Sequence, residues 1–362
     1  MSKVHLPSLN GVRAIAVLMV VFSHVDQFCD LLYIKSLGIG GLGLGWKGVV
    51  LFFTLSGFLI TYLLEIEKNT FNRIDIKKFY IRRILRIWPL YYLIILVTIL
   101  LSLFSIDVIQ FSNAQLTSLV NFFLLIGNYE YVFGVGIITL TPLWSVAVEE
   151  QFYIFWPWIV SNYKKTIISV IIFLFCFLFF KFLVQKLDPH WYKLIYISSF
   201  SCMAIGALMA LLTFRFNKLR QIFFNKYFQF FILVLFILLH FTSIFHFYTF
   251  IQREVYALVD GLVILNLAFN KKSVFKLENY LLNKIGIVSY GIYIYHMLII
   301  LFIGKLTGYL NLNFVQFGLL GSFILALLVL LISIIVSIFS YNFFEKKFLL
   351  LKEKFSIVKS SV

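Results

Sequence analysis

Polar stretches break the chain into ten long apolar runs, near residues 12–29, 47–66, 88–105, 142–160, 166–184, 194–214, 228–247, 254–270, 286–305 and 316–342. Their lengths approach the ~20 residues that an α-helix needs to cross ~30 Å of hydrocarbon, and they exceed the ~10 residues of a barrel strand. The pattern predicts an all-α polytopic membrane protein of about ten transmembrane helices. An eleventh run, Leu116 to Gly127, is shorter and contains Asn121. A segment of that length is expected to lie in the interface or to re-enter rather than to span.

Composition agrees. Of 362 residues, 62% are hydrophobic, 19% aromatic and only 13% charged, against about 25% charged in a soluble domain. The net charge of +16 would suit a nucleic-acid partner only if it formed a basic patch on a soluble face. Instead it lies in short loops, so no nucleic acid is expected and the bilayer is the partner. With ten spans and a cytoplasmic N-terminus, one side receives 24 of the 31 Lys and Arg residues. The other side keeps Lys35, Lys47, Lys181, Lys186, Lys193, Arg253 and Lys305. Positive loops face the cytoplasm, which places both termini there. Letting 116–127 span would reverse every later loop and remove the bias. The longest loops, 67–87 and 106–141, are too short to bury cores of their own. The expected organisation is a membrane domain over 1–347 and a short basic cytoplasmic tail over 348–362. Cys29, Cys176 and Cys202 have neither disulfide nor metal-ligand spacing, so no metal is expected. The first run lacks a cleavage pattern and does not read as a signal peptide. Gly38 to Gly48 reads as an outer turn.

The candidate chemistry lies in polar residues within apolar runs. Arg13 and His24 are eleven residues apart in the first run, so they return to one helix face ~16 Å apart. Such groups are costly in a membrane and usually face a bundle interior or a wet cavity. Counting ~1.5 Å per residue, Ser56, Glu149, Glu150, Asp260 and His296 also reach the middle or outer-middle of the membrane. Glu149 and Glu150 are ~100° apart on a helix, so one is expected to face a cavity and the other to pair structurally. Ser56 could instead bond back to a helix carbonyl, with Gly57 serving close packing. His5, His190, His240 and His246 lie near span ends and read as interfacial. Arg82, Arg83 and Arg86 precede Trp88-Pro89 at the cytoplasmic mouth of the third span. They read either as a membrane anchor or as an anion site, with Arg83 and Arg86 presenting two guanidinium forks on one face.

Several stretches resemble the acyltransferase-3 family of bacterial membrane O-acyltransferases. Leu9-Asn-Gly-Val-Arg-Ala-Ile-Ala16, with Arg13, ten residues and His24, is similar to its opening. Phe52 to Ile60 (FFTLSGFLI), Phe79 to Pro89 (FYIRRILRIWP) and Leu143 to Pro157 (LWSVAVEEQFYIFWP) resemble its later motifs, as do Ser289 to His296 (SYGIYIYH) and Phe344-Glu-Lys346. The matches run in family order over nearly the whole chain. Asn10 and Ala14 depart from the usual Asp and Gly, leaving the Arg/His pair intact. Many relatives carry an extra esterase-like domain, and the resemblance here is to the stand-alone membrane domain.

The resemblance implies an enzyme of the bacterial inner membrane. It would move an acyl group, commonly acetyl, from cytoplasmic acyl-CoA to a hydroxyl of a cell-surface or lipid-linked glycan. No cofactor is bound in such a scheme; acyl-CoA is the donor substrate. Arg83 and Arg86, with Arg82, would hold the phosphates, and Arg13 would guide the head or arm toward His24, the general base. Asp26 or Glu149 would orient His24. Ser56 would be the nucleophile of an acyl-enzyme route. Glu150, Trp144 and His296 would support the site, with Trp144, Tyr129 and Tyr131 offering faces to a sugar. Two rivals remain: a carrier passing acyl groups to a partner transferase, and a secondary transporter, although no inverted repeat is evident.

Overall fold

The computed structural model describes residues 6, 8–31, 35–104, 112–161, 165–215, 217–243, 250–310 and 317–356, among which every regular element is helical. In chain order the helices are α1 (Leu9–Leu31), α2 (Leu44–Phe71), α3 (Ile76–Leu103), α4 (Asn113–Phe123), α5 (Gly127–Phe133), α6 (Leu143–Ser161), α7 (Thr166–Leu187) and α8 (Pro189–Ser198). They continue as α9 (Phe200–Arg215), α10 (Asn217–Phe223), α11 (Lys226–Phe241), α12 (Gln252–Phe269), α13 (Tyr280–Ile287), α14 (Ser289–Tyr309), α15 (Gly318–Ser340) and α16 (Lys346–Lys354). The segments Leu9–Cys29, Gly40–Phe71, Ile76–Leu103, Thr166–Leu187, Pro189–Phe214, Ser289–Thr307 and Gly318–Lys354 are long and apolar enough to cross a membrane. The protein is thus an all-α, multi-pass membrane protein. The other three runs read as spans hold α6, α11 and α12. Of these, α6 and α12 carry carboxylates within their length, which lowers their hydropathy and marks them as bundle-facing.

Helix α2 is central, in contact with α1, α6, α9, α11 and α12. Its closest approach is to α9, where a methyl group at Gly57 would collide with the Met203 carbonyl and one at Gly206 with the Thr54 carbonyl. Two glycines facing across the crossing let the backbones touch, as small residues do between membrane helices. The run at 116–127 forms α4 and the start of α5. At eleven residues, α4 rises ~16 Å, about half of a hydrocarbon core. It docks on α3, where the Tyr91 and Tyr92 hydroxyls donate to the Phe122 and Phe123 carbonyls at 2.8 and 3.1 Å.

Three charges read as outer-loop residues lie inside the bundle. Lys47 is buried and donates to the Leu239 and His240 carbonyls at 2.7 and 3.2 Å. Its ammonium therefore caps the C-terminus of α11, where the helix dipole favours a cation. Lys181 pairs with Glu254 at 2.9 Å, and Ser201 donates to the same carboxylate at 2.6 Å. Arg253 donates to the Ile197 carbonyl and the Ser199 hydroxyl. His240, read as interfacial, is fully buried 3.2 Å from Asp260. Asp260 is thereby spent on α11 and does not join the other mid-membrane groups. These corrections share one cause: a polar side chain at membrane depth is retained where another helix supplies its partner.

Candidate active site

A cavity of about 170 Å³ opens between α1, α2, α3, α6, α14 and α16. This is many times the ~10–15 Å³ that a single water needs, and it suits an extended chain. Its two ends differ in chemistry. Arg13, Arg82, Arg83, Arg86, Lys352, Ser356 and Glu67 line one end; Val49, Phe52, Phe53, Val146, Ser145 and Tyr293 line the other. On α3, residues 82, 83 and 86 fall within about one turn, so all three arginines reach one opening. Arg82 is held by Glu67 at 2.9 Å and donates to the Phe355 carbonyl at 3.1 Å. The Arg83 guanidinium lies 5.8 Å from the ring centroids of both Phe79 and Tyr153, and its buried Nε has no hydrogen-bond partner. Arg13 donates to the Asn10 side chain at 2.9 Å.

His24 lies beyond the apolar end. Helices α1 and α2 run antiparallel, with Ser23 against Gly45 and residues 16–20 against Gly48. By that register His24 is level with about residue 44 of α2, outward of Val49 by ~8 Å and of Phe52 by ~12 Å along the helix axis. At this end of the cavity the Tyr293 hydroxyl shares a 2.6 Å hydrogen bond with Ser145, the Phe52 ring packs edge-on against Tyr293 at 5.8 Å, and the Tyr293 ring lies 5.8 Å from that of His296.

His24 meets His296. The rings stack with centroids 5.0 Å apart, and Nδ1 of His24 is 2.9 Å from Nε2 of His296. Nδ1 of His296 is 2.7 Å from the Tyr293 carbonyl. A carbonyl oxygen only accepts, so this Nδ1 carries a proton, and in the neutral ring Nε2 keeps its lone pair. His24 must then donate through Nδ1, which leaves the lone pair of its Nε2 unengaged. The half-buried His24 thus presents a basic nitrogen, in a tautomer fixed by a fully buried histidine. Asp26 and Glu149, the two carboxylates expected to orient His24, are engaged elsewhere. Asp26 accepts from the Leu37 backbone at 2.6 Å and fixes the outer turn after α1.

Glu149 faces the cavity and accepts from the Tyr153 hydroxyl at 3.1 Å, while Glu150 accepts from Trp88 Nε1 at 2.8 Å. The ~100° between them separates the roles, as spacing requires. Ser56 bonds to the Tyr153 hydroxyl at 2.5 Å rather than to its own helix, forming a chain Ser56–Tyr153–Glu149 along the cavity wall. Trp144 is nearly buried and stacks on Tyr131 with centroids 5.2 Å apart. Tyr129, Tyr131 and Trp191 expose their rings on this side.

The segment carrying those aromatics is organised by Glu130. Its carboxylate accepts from Ser118 at 2.6 Å, Asn121 at 2.8 Å and the Gly136 backbone at 3.2 Å. Burial pushes its pKa up, but the hydrogen bonds outweigh burial and hold it below the ordinary glutamate value.

Sequence reasoning passed over Tyr153, Tyr293, Ser145, Tyr290 and Lys352, all of which line the cavity. Tyr153 was legible in principle, one turn after Glu149 and on its face. Lys352 was not, because its position depends on how α16 folds back.

The family profile described as an acyltransferase domain, acyltransferase-3, matches residues 6–341, and the chain belongs to that family. It is 34% identical over 163 residues to the peptidoglycan O-acetyltransferase OatA of Listeria monocytogenes, a match covering 43% of this chain and 24% of that protein. A Staphylococcus aureus (strain COL) protein named "Putative O-acetyltransferase" is 34% identical over 168 residues, covering 45% of this chain and 26% of that one. A Bacillus subtilis (strain 168) protein, "Putative peptidoglycan O-acetyltransferase YrhL", is 33% identical over 159 residues, covering 42% and 23%. The matched part of this chain spans about a quarter of the length of these relatives. No solved structure matches.

Proposed function

From membership of this acyltransferase family, we propose that the chain is an O-acetyltransferase of the bacterial inner membrane, using cytoplasmic acetyl-CoA as donor and a cell-envelope glycan as acceptor. The observation that carries this reading is one cavity with a cluster of cations at one end and a narrow apolar end leading toward a histidine base. The phosphates of the donor would be held by Arg83, Arg86 and Arg13 through charge-assisted hydrogen bonds. The thin arm would follow the apolar walls and present its thioester past Phe52 and Tyr293. This requires the Tyr293–Ser145 hydrogen bond to open, a side-chain movement. Peptidoglycan is the favoured glycan, because relatives carry that substrate in their names. The exposed rings of Tyr129, Tyr131 and Trp191 would stack on its sugars.

The reaction balances without a cofactor. His24 Nε2 accepts the proton of the acceptor hydroxyl as its oxygen bonds to the thioester carbonyl carbon. The C–S bond then breaks, and His24 returns the proton to the departing thiolate, giving O-acetyl glycan and free coenzyme A. General-base catalysis of this kind supplies about 10²–10⁴ in rate. A second reading, transfer through acyl-Ser56, is favoured by the Ser56–Tyr153–Glu149 chain, and it would suit a carrier feeding a partner transferase. One experiment separates them. Purified protein in nanodiscs is given labelled acetyl-CoA with peptidoglycan fragments, and the protein itself is then quenched and examined for label. Direct transfer predicts labelled glycan and unlabelled protein. Label on protein that disappears in Ser56→Ala would establish the second reading. Neither product would refute both.

A further inference from the structure

Helix α16 folds back on α3 and closes the cationic end of the cavity. It carries four lysines, 346, 347, 352 and 354. Lys346, Lys347 and Lys354 are exposed, whereas Lys352 is half-buried and lines the cavity together with Ser356. Two features hold it there. Arg82, itself fixed by Glu67, donates to the Phe355 carbonyl just past the end of α16 at 3.1 Å. Between α15 and α16 the helix passes through a π-turn, Tyr341–Glu345. One inserted residue rotates everything that follows by ~100° relative to a regular helix. That rotation decides which lysine of α16 faces inward. The π-turn is tied down by Ser340, which donates to Glu345 at 3.2 Å and bonds to the Tyr295 hydroxyl at 3.0 Å.

Five cations therefore line this end: Arg13, Arg82, Arg83, Arg86 and Lys352, against the carboxylates of Glu67 and Glu149. Glu67 is engaged by Arg82, and Glu149 accepts from Tyr153. The surplus of positive charge converges on a space with an unpartnered Arg83 Nε. An anion bearing several charges would offset that surplus and give the free Arg83 donor a partner. We infer that Lys352 is a fourth phosphate-binding side chain of the donor site, beside Arg13, Arg83 and Arg86, and that α16 is a wall of that site rather than a tail. The inference rests on the proposed donor being a phosphorylated nucleotide thioester.

The test uses the full chain in phosphatidylcholine nanodiscs, titrated separately with coenzyme A and with inorganic pyrophosphate. Lys352→Met weakens coenzyme A binding roughly tenfold, the effect of losing one charged hydrogen bond. Lys352→Arg restores most of it. Lys354→Met removes the same charge from the exposed face of the same helix and leaves binding within about twofold. Melting temperatures of the three variants check that α16 stays docked. Wild-type-like binding by Lys352→Met, or equal weakening by Lys354→Met, overturns the inference while leaving the donor reading intact. Binding of pyrophosphate but not coenzyme A overturns the donor reading and keeps the anion site. Binding of neither overturns both. In a parallel set of nanodiscs containing phosphatidylglycerol, a Lys352→Met variant that alters only retention of that lipid and leaves coenzyme A affinity unmoved would assign the site to a lipid headgroup, and the assignment to the donor would fail.

Discussion

Replacing His296 by Phe removes the acceptor for the His24 Nδ1–H while keeping an aromatic ring of similar size in the stack. Two contacts go with it: the 2.9 Å bond to His24 and the 2.7 Å bond to the Tyr293 carbonyl. A neutral hydrogen bond between protein groups is worth about 0.5–1.5 kcal/mol net, and each ~1.36 kcal/mol is a factor of ten in rate. Freed from its partner, His24 also divides between tautomers and rotates, so only a fraction of molecules present Nε2 as base. A kcat reduced about tenfold, and less than the 10²–10⁴ expected for losing the base, is the predicted outcome. Because His296 touches no donor group, KM for acetyl-CoA should be unchanged. The assay is steady-state transfer of labelled acetyl, normalised to folded protein. A double-mutant cycle sharpens it. His24→Ala/His296→Phe should be no worse than His24→Ala alone, since a positioning residue has nothing left to position. A kcat unaffected by His296→Phe, or a double mutant worse than His24→Ala by the full effect of the second substitution, would show that His296 does not act through His24.

Other consequences can be checked separately. Phe52 and Tyr293 crowd the apolar end, so Phe52→Ala should raise transfer of propionyl relative to acetyl by about tenfold, in line with ~1–3 kcal/mol for one accommodated methylene group; an unchanged ratio would place the acyl group elsewhere. Lys181→Met leaves the Glu254 carboxylate buried without its cation. It should destabilise the bundle by about 3–5 kcal/mol, read as a lower unfolding midpoint in detergent, and a change under about 0.5 kcal/mol would contradict that role. Glu130 has a folded pKa below its ordinary value. Its contribution is thus complete above the unfolded pKa near ~4.3 and is lost as pH falls through the lower folded value. Acid should therefore loosen the outer aromatic segment, seen as faster proteolysis of 118–136 below about pH 4. Glu130→Gln should show that sensitivity at neutral pH, and equal cleavage at both pH values would count against it.

Much of the architecture could be read from the chain because membrane helices announce themselves by length and hydropathy, as at Thr166–Leu187 and Gly318–Lys354. Arg13 and His24 were legible as a pair because helical spacing puts them on one face. The division between Glu149 and Glu150 followed from the same geometry. What periodicity could not provide was partnership across helices. His24 and His296 are 272 positions apart, and no local pattern predicts that the second fixes the tautomer of the first. Lys47, Lys181, Arg253 and His240 looked like loop or interface residues for the same reason: their partners Leu239, Glu254, Ile197 and Asp260 are remote in sequence. Lys352 was hidden by a π-turn that hydrophobic periodicity does not signal.

In the proposed mechanism His24 takes the acceptor proton at the end of a cavity loaded from the cytoplasm. The decisive measurement is transfer of labelled acetyl from acetyl-CoA to peptidoglycan fragments by wild type and His24→Ala in nanodiscs, with coenzyme A affinity measured on both. Removing the base should cost about 10²–10⁴ in kcat with coenzyme A affinity preserved. Full transfer by His24→Ala would rule His24 out as the base.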